Sequence, residues 1–448
     1  MPQSPLPVTL VAEAGLDAAP LDAAQRRWAA DNGFTGQRGR LLALPGEGGA
    51  LAGYLFGIGA PEGRPVFIAG LAAAALAEGH YSLAGEIGDP TLAAIAFRLG
   101  AYRFERYRAG KPGPQLVLPQ GADGAEVSRQ VEAATLARDL INTPANDLGP
   151  DALEAVVREF AASRDMAFAV TRGDDLLTGN FPLIHAVGRA SAEAPRLIDL
   201  RWGDPAAPKV TLVGKGVIFD TGGLDIKSAA GMLLMKKDMG GAANVLGLAH
   251  AIVSAGLPVR LRVLLPVVEN AIAGNAFRPG DVLRSRRGLT VEIGNTDAEG
   301  RLILADALSL ADEESPDLLI DMATLTGAAR VALGPDLPPA YGTDDELVRA
   351  LAAGGLALED PLWPMPLWQP YEGLLASRIA DTGNAVPGGS AGSVTAALFL
   401  RRFVTAAKAW VHLDIFAWAP EARPGRPVGG TDQAIRACYA LLRHRYGG

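Results

Sequence analysis

Four carboxylates and three cations stand close to glycine in three short segments of this chain. The first segment, KVTLVGKGVIFDTGGLDIKS (209–228), carries Lys215, Asp220 and Lys227. A β run ends at Val213, and a Gly-Lys-Gly turn leaves Lys215 at a strand end. Asp220 precedes Thr-Gly-Gly, a second tight turn, and Lys227 follows seven residues later. The second segment, GMLLMKKDMGGAANVLG (231–247), places Asp238 just before two glycines and a helix. The third, NTDAEGR (295–301), holds Asp297, Glu299 and Arg301 at the start of another helix. Taken singly, most of these residues have plain structural readings. Asp238 suits a helix N-cap, Asp220 suits a turn, and Asp297 and Glu299 suit the positive end of a helix dipole. Lys215 and Lys227 suit a solvated surface. Arg301 does not fit so easily, since a cation in a first helical turn faces the unfavourable end of the dipole. The joint occurrence of all seven at strand and turn ends points to a site.

Carboxylate-rich sites suit divalent metals. The chain has only five histidines, His80, His185, His250, His412 and His444, and none forms an HExxH pair. Oxygen ligands favour Mn²⁺ or Mg²⁺ and are also accepted by Zn²⁺. Carboxylates can bridge two ions ~3.5–4 Å apart, and such a pair acidifies a water and polarises a carbonyl together.

The surrounding pattern must position these groups. Residues 1–125 form an N-terminal α/β domain, with LLALPG and PVFIAG as short strands and LAAAALAEG and TLAAIAFRLGAY as helices. RAGKPGPQ (108–115) is a turn or linker. EVSRQVEAATLARDLINT begins a linking helix over 126–149 that must end near Thr143, which precedes proline. Residues 150–448 form a larger C-terminal catalytic domain. Its β runs (MAFAV, RLIDLRW, KVTLVG, VRLRVLLPVV, LTVEIG and DLLIDMATL) alternate with helical patterns such as LEAVVREFAA, AANVLGLAHAIVSAG and GRLILADALSLADEE. That alternation implies an α/β fold whose mostly parallel central sheet is flanked by helices. Ligands of such sheets bind beyond the carboxyl ends of the strands, where the candidate residues fall.

The net charge of −8 on 448 residues argues against a broad nucleic-acid or anionic-membrane surface. The arginines of RLRVLLP and LRSRRG read as solvated surface. Cys438 is the one cysteine, which excludes an intrachain disulfide and a thiolate cluster; its apolar helical context makes it a buried structural thiol. His250 reads as a core residue. The N-terminus lacks the basic and apolar regions of a signal peptide, and no run is long enough for a membrane span, so a cytoplasmic location is expected. GxxxxGK[ST] is absent, so GKG at 214–216 is no P-loop.

Motifs in ordered series then carry a resemblance. ARDLINTPAND, VGKGVIFDTGGLDIK, MKKDMGGAANVLG, ENAIAGNAFRPGDVLRSRRG, NTDAEGRLILADAL, DMATLTGA, SRIADTGN, GSVTAALFLRRF and WVHLDI run in order across roughly residues 130–430. Together they resemble the leucyl aminopeptidase (cytosol aminopeptidase) family, which removes N-terminal residues, leucine and mainly apolar ones, from peptides with two metals. The resemblance implies that Lys215, Asp220, Asp238 and Glu299 hold the tighter ion. Asp220, Asp297 and Glu299 would hold the exchangeable one, with the Asp297 carbonyl as a further ligand. The ions would be zinc or manganese and would activate a water. Lys227 would polarise the scissile carbonyl, and Arg301 would anchor a bicarbonate as general base. Thr324, Leu325 and Gly327 would bind substrate backbone or line its pocket, and Met235 would line the side-chain pocket. A homohexamer is also implied.

Physical chemistry fits these roles. Lys215 must be neutral to donate a lone pair, so its pKa should fall beside two metals, whereas Lys227 should stay charged. Four carboxylates balance two divalent ions, which leaves Lys227 and Arg301 in excess; a hydroxide and a bicarbonate would cancel them. The chain departs from many relatives in reading FDTGG and Lys227-Ser228. Asp225 adds a carboxylate near Lys227, able to shift its pKa or the substrate preference. The alternatives are another two-metal hydrolase, against which stands the lack of histidine ligands, and a DNA-binding or structural paralogue. The acidic balance opposes DNA binding, and the complete ligand set opposes a dead paralogue.

Overall fold

A computed structural model describes residues 4–110 and 112–447. Met1–Gln3, at the start of the segment read for a signal peptide, and Lys111, within the RAGKPGPQ turn, lie outside the described residues. The chain forms two compact units, Met1–Thr135 with Ala419–Gly429 and Leu136–Trp418 with Gly430–Gly448. The boundary at 135/136 falls inside a helix, Gly124–Asn142, which stops one residue before Thr143.

The smaller unit is built on five strands: β1 (Leu6–Ala12), β2 (Leu41–Pro45), β3 (Leu51–Gly59), β4 (Gly79–Gly85) and β5 (Pro114–Leu116). Their order is β2-β3-β1-β4-β5, parallel except for β2 against β3. Val8, Leu10, Phe56 and Ile58 bury one face against Ala72, Ala73, Ile95 and Phe97. PVFIAG is not a strand. Pro65–Ile68 turn, and Ala69 opens the helix Ala69–Ala75. The following alanine run, with its high helix propensity, extends back into the segment.

The larger unit carries a nine-stranded sheet among the described residues. Its strands are β6 (Ala167–Arg172), β7 (Arg196–Trp202), β8 (Lys209–Gly214), β9 (Gly216–Asp220) and β10 (Arg260–Asn270). After a small sheet formed by β11 (Val282–Arg284), β12 (Thr290–Glu292) and β16 (Thr382–Gly383) come β13 (Leu318–Ala323), β14 (Pro339–Gly342), β15 (Trp363–Pro364) and β17 (Trp410–Asp414). The centre, β17-β13-β8-β10, is parallel, and antiparallel neighbours sit outside it. Central strands are apolar on both faces, because helices cover both. Leu212, Leu264 and Leu319 are fully buried, as are Val245 and Leu246 in one covering helix, Gly240–Ser254, and Leu302 and Ile303 in another, Gly300–Asp312.

One side-chain expectation needed revision. Arg262 of RLRVLLP is buried, with Nη2 2.7 Å from Asp199 Oδ2 and Nη1 3.0 Å from Glu314 Oε1. A buried guanidinium persists only when paired in this way. His250 is buried, but it also hydrogen-bonds Arg164 Nη2 at 2.7 Å. Cys438 is buried, and burial pushes its thiol well above the ordinary range.

The helix Gly300–Asp312 is held by a buried carboxylate. Asp306 accepts the Leu183 and Arg286 amides, each at 2.8 Å. Burial outweighs these bonds and lifts its carboxyl to about 7. A folded value above the unfolded one means that this group's stabilising contribution is complete below about pH 4 and lost as pH rises through about 7. The stability advantage of the native protein over Asp306→Asn should therefore shrink between pH 4 and 8. A flat difference in denaturant midpoints over that range would refute the assignment.

Candidate metal and peptide-binding site

The seven residues singled out by type and spacing converge at the carboxyl end of the parallel strands. Lys215 is the single residue between β8 and β9, so the chain runs from strand to strand there instead of turning. Its N–H donates to Met322 O and its carbonyl accepts from Ala242, which continues the pairing across the break. Its buried Nζ lies 2.8 Å from Asp238 Oδ2, 3.0 Å from Glu299 Oε1 and 3.0 Å from Thr324 O. Gly300 explains how this side chain passes. A Cβ at Gly300 would stand 2.6 Å from Lys215 Nζ.

The carboxylates are not caps. The Gly240–Ser254 helix has Met239 at its N-cap, and Asp238 sits in a preceding 3₁₀ turn, Met235–Met239, with Thr324 Oγ1 donating to Asp238 Oδ1 at 2.8 Å. Glu299 occupies the N-cap of Gly300–Asp312 but accepts no capping bond from it. Asp220 holds a turn, as its type and neighbours suggested. Its Oδ1 closes the turn by accepting from Gly222 N and Asn270 Nδ2, both at 2.9 Å, while its Oδ2 faces Lys227 Nζ at 2.8 Å. Gly222 takes φ 87° there, open to glycine at no steric cost. Lys227 also pairs with Asp297.

Oxygen atoms of Asp220, Asp297 and Glu299 lie within 4.8 Å of one another. Such crowding is visible in their proton affinities. Burial, with the Asp220 carboxylate beside it, lifts Glu299 to about 8 and Asp297 to about 6. Glu299 Oε2 is buried without a hydrogen-bond partner among the described residues. Like charges this close, with an unsatisfied acceptor oxygen, form a donor set that fits divalent cations. Burial opposes a charged amine on Lys215, but Asp238, Glu299 and Asp220 overcome it and raise its pKa. Lys227 is likewise raised against burial, by Asp220 and Asp297. Asp225 lies in the same loop. Its carboxylate accepts the Thr296 amide at 2.7 Å and ties the two loops together. Ser228 caps a short turn through Gly231 N.

Arg301 is buried, and burial lowers its guanidinium to about 10. Nη1 donates to Asn384 O at 2.6 Å, whereas buried Nε has no partner. The site opens on a cavity of about 510 Å³ whose walls include Met235, Thr324, Leu325 and Gly327 as well as the charged groups. Leu325 N and Thr326 N both donate to Asp414 Oδ1, at 3.0 and 3.1 Å, which fixes the TLTG loop.

Several residues of this site escaped the sequence reading. Asn270 orients Asp220. Asn384 accepts from Gly294 N at 2.8 Å and donates to Asn295 O at 2.7 Å, so it holds the NTDAEGR loop. Lys237 also faces the cavity; it is buried, and burial lowers its ammonium to about 8. The available signal was placement alone, since each lies in a quoted motif but has no distinctive spacing.

Residues 135–439 match the cytosol aminopeptidase family, catalytic domain, and residues 6–119 match the M17 aminopeptidase N-terminal domain. The chain belongs to the cytosol aminopeptidase family. A probable cytosol aminopeptidase of Leifsonia xyli subsp. xyli is 41% identical over 443 residues, covering 92% of this chain and 88% of the relative. The crystal structure of the cytosol aminopeptidase from Coxiella burnetii superposes with a TM-score of 0.94 at 46% identity, over 100% of this chain and 98% of that one. The bottromycin maturation enzyme BotP, solved in complex with Mn, gives a TM-score of 0.89 at 34% identity over 98% and 99% of the two chains. The chain is thus a metal-dependent aminopeptidase, a hydrolase acting on the N-terminal residues of peptides. Its family is a two-metal one, and the carboxylate cluster is where metal can bind. No helix among the described residues is long and apolar enough to cross a membrane.

Proposed function

We propose that this enzyme removes leucine and other mainly apolar N-terminal residues from peptides at the cluster of Asp220, Asp297 and Glu299. The carrying observation is that these three carboxylates meet within 4.8 Å beside two buried lysines and a fourth acid. Lys215, Asp220, Asp238 and Glu299 hold one divalent ion; Asp220, Asp297 and Glu299 hold the other. Two such ions supply Lewis-acid polarisation of the scissile carbonyl and acidify the attacking water. Zinc and manganese both suit this donor set, and the manganese of the BotP structure supports the second. Divalent charge replaces the carboxylates' pull on Lys215 with repulsion, which favours the neutral amine that a ligand must be.

The chain's own groups supply the rest. Lys227 stays protonated and donates toward the oxygen on which negative charge develops. The unpartnered Nε of Arg301 holds a bicarbonate that accepts the proton of the water. Thr324, Leu325 and Gly327 align the peptide backbone, and Met235 receives the first side chain, its unbranched thioether adapting to several shapes. The domain division at 125 and 149, a homohexamer and a cytoplasmic location complete this reading.

The test is release of p-nitroaniline from leucine p-nitroanilide by protein treated with chelator and then given Mn²⁺ or Zn²⁺. Activity that ignores chelation would end the metal reading. Arg301→Ala should lose about 10–100-fold in kcat, as outer-shell changes at metal sites do, together with any rate response to added bicarbonate. A variant that still responds to bicarbonate would remove Arg301 from the role.

A further inference from the structure

Two cations in the cavity wall have no part in the chemistry above. Lys237 lies between Met235 and Asp238 in the same 3₁₀ turn and is only 4% exposed. Its side chain forms no hydrogen bond among the described residues. The nearest acid, Asp238 Oδ1, is 3.8 Å away and already accepts from Thr324, while Asp238 Oδ2 faces Lys215. What Lys237 does touch is an aromatic ring, with Nζ 5.0 Å from the centre of Phe416. The Arg330 guanidinium lies 4.8 Å from the centre of the same ring and enters no ion pair among the described residues. Met235, Lys237, Arg330 and Phe416 all line the cavity.

Lys237 is buried with one acid at 3.8 Å, which is already shared with Thr324 and Lys215, so a ligand carboxylate would complete its pairing. On the proposed metal reading, the four acids, two divalent ions, Lys227, Arg301, hydroxide and bicarbonate would balance one another. Lys237 and Arg330 therefore leave the side-chain pocket with an uncompensated positive charge. Phe416 and Met235 would pack against the methylenes of an incoming side chain, and the two cations would meet its end.

We propose that Lys237 and Arg330 form a carboxylate-recognising wall of the side-chain pocket, so that peptides beginning with glutamate are substrates alongside those beginning with leucine. The inference rests on the proposed placement of the first side chain against Met235. Glutamate suits the pocket because its two methylenes span the apolar floor before the charge is reached.

The experiment compares kcat/KM for glutamate and leucine p-nitroanilides on the metal-loaded full chain, for native protein, Lys237→Met, Arg330→Met and Lys237→Arg. The glutamate-to-leucine ratio should fall at least about tenfold in Lys237→Met, chiefly through KM, and stay near the native value in Lys237→Arg. Damage passed on to Asp238 would slow both substrates alike and leave the ratio in place, so the ratio isolates recognition. Arg330 is exposed, so Arg330→Met folds irrespective of any packing loss at Lys237, and it should lower the ratio in the same direction. An unchanged ratio in both methionine variants overturns the proposal. So does native protein that cleaves the leucine substrate but not the glutamate one, a result that leaves the site reading intact. Activity on neither substrate removes both.

Discussion

Glu299→Gln lowers kcat/KM for leucine p-nitroanilide by at least about a thousandfold, roughly 4 kcal/mol of transition-state stabilisation. Glu299 is the acid that both proposed ions share, and it is 1% exposed. One oxygen faces Lys215 and the other is buried without a partner. An amide keeps the shape but loses the charge and half of the acceptor capacity, so it cannot bridge two cations. Metal content by mass spectrometry should fall from about two ions per chain toward one. The folded chain should tolerate the change, because burial and the neighbouring Asp220 already push the Glu299 carboxyl up to about 8 and so favour its neutral form when no cation offsets them. Retention of two ions with native activity would show that Glu299 is not the shared ligand.

Lys227→Met should cost about 10²–10³ in kcat, the usual penalty for removing one donor aimed at a developing oxyanion. The charge on Lys227 is secured by Asp220 and Asp297, which raise its pKa against burial. In the metal-free protein this keeps the ammonium charged. KM should change little, since the interaction strengthens only as the transition state forms. Equal losses in ground-state binding and turnover would instead mark Lys227 as a structural counter-ion. Lys227→Arg should recover part of the rate, because it keeps a cationic donor near the same place.

Much of the larger unit was readable because its central strands are continuous apolar runs. RLIDLRW and KVTLVG correspond residue for residue to β7 and β8. The antiparallel edges were not readable, since an edge strand and a central one differ in their neighbours and not in their own pattern. PVFIAG shows the limit for short apolar runs, where strand and buried helix look alike until length or context decides. At the site, the convergence was legible because seven unusual residues share three glycine-rich segments. The residues that hold them were not. Asn270 and Asn384 act through hydrogen bonds that reach across 50 and 89 positions to Asp220 and Asn295, and neither leaves a periodicity or a spacing. Lys237 stands beside Lys236 with no pattern to set it apart, yet it is buried and Lys236 only half-buried. The break at Lys215 was read as a turn because Gly-Lys-Gly usually bends; here Gly214 and Gly216 belong to consecutive strands.

Gly300 also bears on how this chain can vary. The space above its Cα is filled by the end of a side chain rooted 85 positions upstream, since a Cβ there would meet Lys215 Cε and Nζ, both at 2.6 Å. Positions 300 and 215 are therefore one unit of inheritance. A methyl group at the first must displace the end of the Lys215 side chain from its pairs with Asp238 and Glu299, or be matched by a shorter residue at the second. A substitution at either position therefore changes what the other tolerates. The last glycine of NTDAEGR is thus set by a residue of a different segment, and a map of tolerated substitutions should find these two sites strongly epistatic.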